Sequence, residues 1–302
     1  MRAVLDMDPG HDDALALLTA FPLLEVAGVT TVAGNQTLDK TTLNALRVVR
    51  AAGRSTAVVP GCSHPWLVPL VTAPHVHGDS GLDGYDFPPM PLPETAKNRA
   101  MAFLRNLFAA ADSAAPLHWI ATGPLTNVAS FLAGHPDLRH RIASLTIMGG
   151  SLGHGNITAE AEFNIYVDPE AAQYVFDSGL PIRVVGLDVT HQALVTQAKL
   201  EQFRDLADPV GPMLYSLLSF YGRREAKDAG FPIHDVLAVA ALLQPDFFGW
   251  RTLSLSVGAG GASTRGATRP RSEGPTVDMA IDIDVERFFQ WLWKALSVYH
   301  EP

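Results

Sequence analysis

A chain of 302 residues, 47% hydrophobic and 18% charged, carries far more apolar material than a disordered protein and enough to bury a substantial core. Its formal charge of −9, with no lysine or arginine run that could track phosphates, argues against a nucleic-acid polymer as partner and points to small molecules. With a single cysteine, Cys62, an apolar start that resembles no leader peptide and no run of roughly 18 uninterrupted apolar residues, a cytoplasmic protein with no membrane partner is expected.

Apolar runs of strand length alternate with segments of helical period. Ala3 to Met7 reads as a strand, Asp12 to Phe21 as a helix, Val26 to Val32 as a strand and Leu38 to Ala52 as a helix, a β-α-β-α order. The pattern continues with a strand at Leu117 to Ala121, a helix from Leu125, a strand at Ile142 to Met148, a helix opening at Asp168-Pro169-Glu170 and a strand at Ile182 to Val185. This alternation predicts an α/β fold, an open and mostly parallel sheet with helices on both faces. Beyond Leu187 come a helical region from Gln197 to Arg224, then Phe231-Pro232-Ile233-His234-Asp235 opening another apolar helix. Two late strands, Leu253 to Val257 and Val277 to Ile283, are expected to form a hairpin, with Gly258 to Pro275 between them as a mobile surface loop. No linker-like composition divides the chain, so one domain spanning 1–302 is expected.

In open sheets of this kind ligands bind beyond the carboxyl ends of the strands, and unusual residues follow the apolar runs here. Asp6-Met7-Asp8-Pro9-Gly10-His11-Asp12-Asp13 follows the first, Gly34-Asn35 the second, Thr122-Gly123 the run at 117–121 and Gly149-Gly150 the run at 142–148. Aspartates at 6, 8, 12 and 13 would repel one another in a buried place without a cation. A hard metal with oxygen ligands is the natural remedy. The plainer reading is that Asp12 and Asp13 cap the following helix, where its dipole favours negative charge.

The stretch Asp6-Met7-Asp8-Pro9-Gly10-His11-Asp12-Asp13-Ala14 resembles the N-terminal signature of the inosine-uridine nucleoside hydrolases. Further resemblance runs in the family's order along nearly the whole chain: Gly34-Asn35, His77-Gly78, Ala121-Thr122-Gly123-Pro124-Leu125-Thr126-Asn127, Glu162-Phe163-Asn164, Asp168-Pro169-Glu170-Ala171-Ala172 and His234-Asp235. The resemblance implies the Rossmann-like fold of that family, a ribonucleoside substrate, and Ca2+ held by Asp8, by both oxygens of Asp13, by the main-chain carbonyl of Thr122 and by Asp235. Water and the vicinal ribose hydroxyls would complete a shell of about eight, the upper end of what calcium accepts. It also implies Asp8 as general base, Asn35 among the substrate-binding residues, and Asp12, Asn156, Glu162 and Asn164 on the sugar, since ribose hydroxyls need both donors and acceptors. His234 resembles the histidine that helps protonate the departing base, and a histidine titrates in the right range. His77 resembles the histidine near the base. For His11, His118 and His140 an ordinary surface or hydrogen-bonded core role is expected.

Base recognition is left open. Tyr221, Arg223 and Arg224 lie where the family lines its base pocket, and Tyr221 suits core packing as well as ligand contact. Where pyrimidine-preferring members tend to carry a glutamine and a tyrosine, this chain has Arg223, Arg224 and Ala226, so purine and pyrimidine bases both stand. A homodimer or homotetramer is expected.

Two other classes fit part of the pattern. Asp6-Met7-Asp8 after a strand is also how haloacid-dehalogenase-type magnesium phosphatases begin, but Gly10 stands where those enzymes usually have threonine or valine, and Asp12-Asp13 has no task there. A non-catalytic calcium-dependent nucleoside or sugar binder would need neither Asp8 as base nor His234 as acid. The reaction expected is direct attack of water on the anomeric carbon through an oxocarbenium-like transition state, which inverts that centre.

Overall fold

In a computed structural model of the chain, residues 1–91, 99–112, 116–225, 229–261 and 264–300 are described; of the base-pocket stretch, Ala226 lies outside them. The strands are β1 Arg2–Met7, β2 Glu25–Thr31, β3 Val58–Pro60, β4 Leu117–Ala121, β5 Ile142–Met148, β6 Ile182–Val185, β7 Leu194–Val195, β8 Phe231–Pro232, β9 Phe248–Val257, β10 Thr268–Arg271 and β11 Val277–Ile283. The helices are α1 His11–Leu23, α2 Leu38–Ala51, α3 Pro74–His77, α4 Ala100–Ala109, α5 Thr126–Gly134, α6 Phe163–Val167, α7 Pro169–Phe176, α8 Leu187–Thr190, α9 Gln197–Gln202, α10 Val210–Glu225, α11 Val236–Leu243 and α12 Val285–Leu296.

One 9-stranded sheet runs β10-β9-β11-β6-β5-β4-β1-β2-β3. From β3 to β11 all neighbours are parallel, and at the far edge β9 runs antiparallel to both of its neighbours, β11 and β10. The portion β3-β2-β1-β4-β5-β6 is the doubly wound strand order, which leaves a crevice between β1 and β4 where the chain departs to opposite sides. Register brings the strand ends level there, with Asp6 opposite both Thr30 of β2 and Ala121 of β4.

Side-chain alternation explains why Ala3, Val4, Leu5 and Met7 of β1 are all apolar. Ala3, Leu5 and Met7 pack into one core layer with α1, α2, α10, α11 and α12, while Val4 points into the other with α4, α5 and α7. Both faces are covered, so neither row of side chains meets water. Helix starts follow local chemistry: the Asp168 carboxylate accepts from the Ala171 N–H with Pro169 in the first turn, and the Asp284 side chain accepts from the Arg287 N–H.

The late strands pair antiparallel as expected, but β9 starts earlier, at Phe248, and reaches Val257. The segment expected as a mobile loop is corrected in part. Thr268–Arg271 within it forms β10 on the outer side of β9, because its backbone can extend the open edge of the sheet. The helical region 197–224 is likewise broken, into α9, a short 3₁₀ turn at Phe203–Asp205 and α10. Among the described residues no helix is long and apolar enough to cross a membrane.

Candidate active site

The end of β1 delivers the aspartate cluster into the crevice, and strand alternation splits it. Asp6 turns away: it is wholly buried, its Oδ1 accepting from Thr30 Oγ1 at 2.5 Å and from Asn127 Nδ2 at 2.7 Å. Burial, the largest influence, raises its carboxyl to about 7 in spite of those bonds. The first aspartate of Asp6-Met7-Asp8 is thus a structural anchor, out of reach of a substrate. That removes the nucleophile a haloacid-dehalogenase mechanism requires.

Asp8, two residues on, faces the crevice. Its Oδ2 accepts from the Asn35 N–H at 2.6 Å, and its Oδ1 is buried with no hydrogen-bond partner among the described residues. Its walls are glycines of necessity: a Cβ on Gly34 would stand 2.1 Å from Oδ2 and one on Gly123 2.8 Å from Oδ1. Burial first, and the neighbouring Asp13 charge next, push the Asp8 carboxyl well above the usual carboxylate range.

Asp12 and Asp13 open α1. The capping reading holds for Asp13, whose Oδ2 accepts from the Gly10 N–H at 2.9 Å, yet its Oδ1 accepts from Thr122 Oγ1 at 2.7 Å and so reaches across to the end of β4. Asp12 Oδ2 accepts from the His234 N–H at 3.3 Å. Oxygens of Asp12, Asp13 and Asp235 lie within 4.8 Å of one another. Burial raises Asp12 to about 7, Asp13 to about 6 and Asp235 well above its ordinary value. Carboxylates gathered this closely out of water suit a hard divalent cation, and the unpartnered Asp8 Oδ1 beside them supplies a further hard oxygen. The trio thus includes Asp12, which the sequence assigned to sugar, while Asp8 approaches from the strand side.

The Thr122 carbonyl accepts from Asn164 Nδ2 at 2.7 Å, which leaves one lone pair. Asn164 is held in turn by the Glu162 carboxylate, which caps α6 by accepting from the N–H groups of Asn164 and Ile165 and also from that of Gly150. Burial lifts Glu162 to about 7, so it is no ordinary solvated loop residue. Asn156 is the exposed member, its Oδ1 accepting from the Phe163 N–H at 2.9 Å.

These residues surround a pocket of about 240 Å³, lined among others by Asp12, Asn35, His77, Thr122, Asn156, Glu162, Asn164, Tyr221, His234 and Asp235. Asp8 and Asp13 lie directly behind its wall, tied to it through Asn35 and Thr122. Every site residue named from the sequence therefore converges on one place. His234 is buried, its Nδ1 paired with Thr190 Oγ1 at 2.8 Å. Burial, then the neighbouring His191, lowers it to about 3. The sequence expectation of a histidine titrating near neutrality is corrected accordingly: burial moves its titration well below that range and disfavours the charged ring.

Tyr221 both lines the pocket and packs, stacking on His77 at 5.6 Å and on His11 at 5.7 Å. Arg224 donates to the carbonyls of Pro74 and His75, tying α10 to the turn that carries His77. Residues not foreseen are Thr190, which orients His234, and Glu225, which joins the pocket lining. A threonine just after β6 was the available signal for the first. His11 has the hydrogen-bonded core role expected of it; His118 is half-buried and paired with Ser144, and His140 is exposed.

Comparison with known proteins agrees with this geometry. The family model described as inosine-uridine preferring nucleoside hydrolase matches residues 3–290. A pyrimidine-specific ribonucleoside hydrolase RihA of Salmonella paratyphi C is 40% identical over 98% of this chain and 98% of its own, as is one from Klebsiella pneumoniae strain 342. Among solved structures, a purine-preferring ribonucleoside hydrolase from Gardnerella vaginalis superposes with a TM-score of 0.91 at 30% identity, covering 99% of both chains. A plant nucleoside hydrolase superposes with a TM-score of 0.90 at 30% identity over 98% of both.

Proposed function

The chain belongs to the inosine-uridine preferring nucleoside hydrolase family and is a ribonucleoside hydrolase; from that premise we propose that it depends on calcium and prefers pyrimidine ribonucleosides, releasing ribose and free base. The observation that carries the metal reading is the gathering of buried Asp12, Asp13 and Asp235 oxygens within 4.8 Å of one another, with the nearby Asp8 Oδ1 buried and without a hydrogen-bond partner among the described residues. The pyrimidine reading is supported by the relatives at 40% identity over almost the full chain, whose names specify pyrimidines.

Asp8, Asp13, Asp235 and the Thr122 carbonyl would hold the ion. When bound, calcium supplies the positive charge that lowers the pKa of a water and engages the ribose diol. Asp8 accepts the proton of the attacking water, its Oδ2 already oriented by Asn35. Asp12, Asn35, Asn156, Glu162 and Asn164 fix the sugar from several sides, so the anomeric carbon stays in line with the attack. His234, its Nδ1 occupied by Thr190, turns its other ring nitrogen to the leaving base, and Tyr221 gives the pocket an aromatic side chain on which a base can pack. The reading extends to one catalytic domain spanning 1–302 and to a homodimer or homotetramer.

The deciding experiment is a panel of common ribonucleosides assayed with calcium and with a chelator, beside elemental analysis of the purified protein. One calcium per chain and chelator-sensitive release of ribose from uridine and cytidine are expected. Zinc in place of calcium refutes the metal assignment, and faster turnover of inosine or guanosine refutes the pyrimidine preference.

A further inference from the structure

Two residues assigned to the sugar, Glu162 and Asn164, sit between two ties, and both ties come from one short stretch at the edge of the sheet. α6 spans only Phe163–Val167, too short to hold its place as an isolated helix; Ile165 seats it on the core, and its ends are fixed from outside. The last carbonyls of a helix have no partners within it, and Arg265 supplies them. Its Nε donates to the Tyr166 carbonyl at 3.0 Å and its Nη2 to the Val167 carbonyl at 3.2 Å, with the guanidinium carbon 4.7 Å from the centre of the Tyr166 ring. At the other end the Glu162 carboxylate accepts from the Gly150 N–H, and Thr268 clasps that turn. Its buried hydroxyl accepts from the Ser151 N–H at 2.9 Å and donates to the Ser151 carbonyl at 2.5 Å. Between Arg265 and Thr268 the backbone runs so near α6 that a Cβ on Gly266 would stand 2.5 Å from the Tyr166 Cα, and Ala267 bridges to Ala161. The parts held in this way are chemically specific: from the middle of α6, Asn164 Nδ2 reaches the Thr122 carbonyl at 2.7 Å, and Glu162 and Asn164 both line the pocket.

We propose that Arg265 and Thr268 are positioning residues that set the sugar selectivity of the site, by holding Glu162 and Asn164 at the spacing that ribose hydroxyls require. Neither lines the pocket, so both act through the residues they hold. The proposal rests on the ribonucleoside reading, with Glu162 and Asn164 at the sugar. Recognition of hydroxyls depends on such support, because a misplacement of about 1 Å can cost a factor of about 10² in rate. The guanidinium is charged at every working pH, which makes the brace permanent and not a pH switch. Base choice is left to other lining residues, Tyr221 among them.

Arg265→Met keeps the stem beside Tyr166 and removes both donors. Thr268→Val keeps the shape and removes the hydroxyl, which Thr268→Ser restores. Hydrogen exchange on the protein in chelator reads the brace directly. The amides of Asn164, Ile165 and Tyr166 all bond to Glu162. They should exchange at least about tenfold faster in Arg265→Met and Thr268→Val, for the loss of hydrogen bonds that hold the segment, while β1 and β4 are unchanged and Thr268→Ser behaves as wild type. A disrupted variant whose exchange across 162–167 is unchanged would show that its residue is no brace. Should Arg265→Met fail to fold, the Thr268 pair decides.

In the assay the readout is a ratio of efficiencies, which a smaller fraction of folded enzyme leaves untouched. Uridine is compared with 2′-deoxyuridine, 3′-deoxyuridine and 5′-deoxyuridine at saturating calcium. In Arg265→Met and Thr268→Val at least one of the three kcat/KM ratios should fall by about tenfold or more, the low end of what removing an outer support of a site costs. The uridine to cytidine ratio should stay as in wild type, and Thr268→Ser should recover all the ratios. Three unchanged deoxy ratios, or a base ratio that changes as far as the sugar ratios, would overturn the assignment to sugar selectivity. If no ribonucleoside were cleaved at all, the proposed function would fall instead, and the exchange measurement would still judge the brace.

Discussion

Asp8→Asn should act in opposite directions on the metal-free and calcium-loaded protein. In the metal-free site Asp8 Oδ1 is buried without a partner, and Asp13 and Asp12 stand near enough to disfavour its charge. A buried unpaired polar atom costs about 1–3 kcal/mol. Asparagine keeps an oxygen for the Asn35 N–H and places a donor among the remaining carboxylates, so the metal-free variant should gain about 1 kcal/mol or more by relieving that cost. For a chain of this size each kcal/mol moves the melting midpoint by about 2 °C. Calcium at 100 times its Kd stabilises the wild type by about 2.7 kcal/mol, whereas a variant binding 100-fold more weakly gains only about 0.4 kcal/mol at the same concentration. The order should therefore invert: the variant melts higher than wild type in chelator and lower in calcium. Thermal melts in chelator and in saturating calcium measure both arms. A variant that melts lower in chelator, or that keeps the full calcium shift, would refute the account of Asp8 as a frustrated ligand awaiting a cation.

Discrimination against 2′-deoxynucleosides should reach about 10⁴ to 10⁵ in kcat/KM if, as proposed, the sugar subsite is built around hydroxyls; equal efficiencies for uridine and 2′-deoxyuridine would separate the carboxylate cluster from the sugar. His234→Ala should slow uridine hydrolysis by about 10²-fold or more while sparing a nitrophenyl riboside, whose phenolate needs no help, and equal losses on both would make His234 structural. Gly34→Ala should cost about 1–3 kcal/mol of stability and most of the turnover, since its Cβ would stand 2.1 Å from Asp8 Oδ2 and 2.7 Å from Pro124. A variant with unchanged melting and turnover would show that Asp8 has room to move.

The strand and helix order was legible in the sequence because buried parallel strands must be apolar on both faces, and Ala3 to Met7 shows this directly. The gathering of the candidate residues was legible too, since polar residues that follow apolar runs fall at one end of a doubly wound sheet. The edge strand β10 was not: Thr268–Arg271 has no apolar pattern, and its extended form comes from pairing with β9. Within the aspartate cluster the residue types announced a cation, but the division of labour depended on three dimensions. Alternation along β1 sends Asp6 to Thr30 and Asn127 and leaves Asp8 for the crevice, and the approach of Asp235 from a distant helix start brings Asp12 into the trio. The contact of His234 with Thr190 and the pairing of His11 with His77 are likewise tertiary facts, because they join groups 44 and 66 residues apart in the chain and nothing near the histidines encodes them.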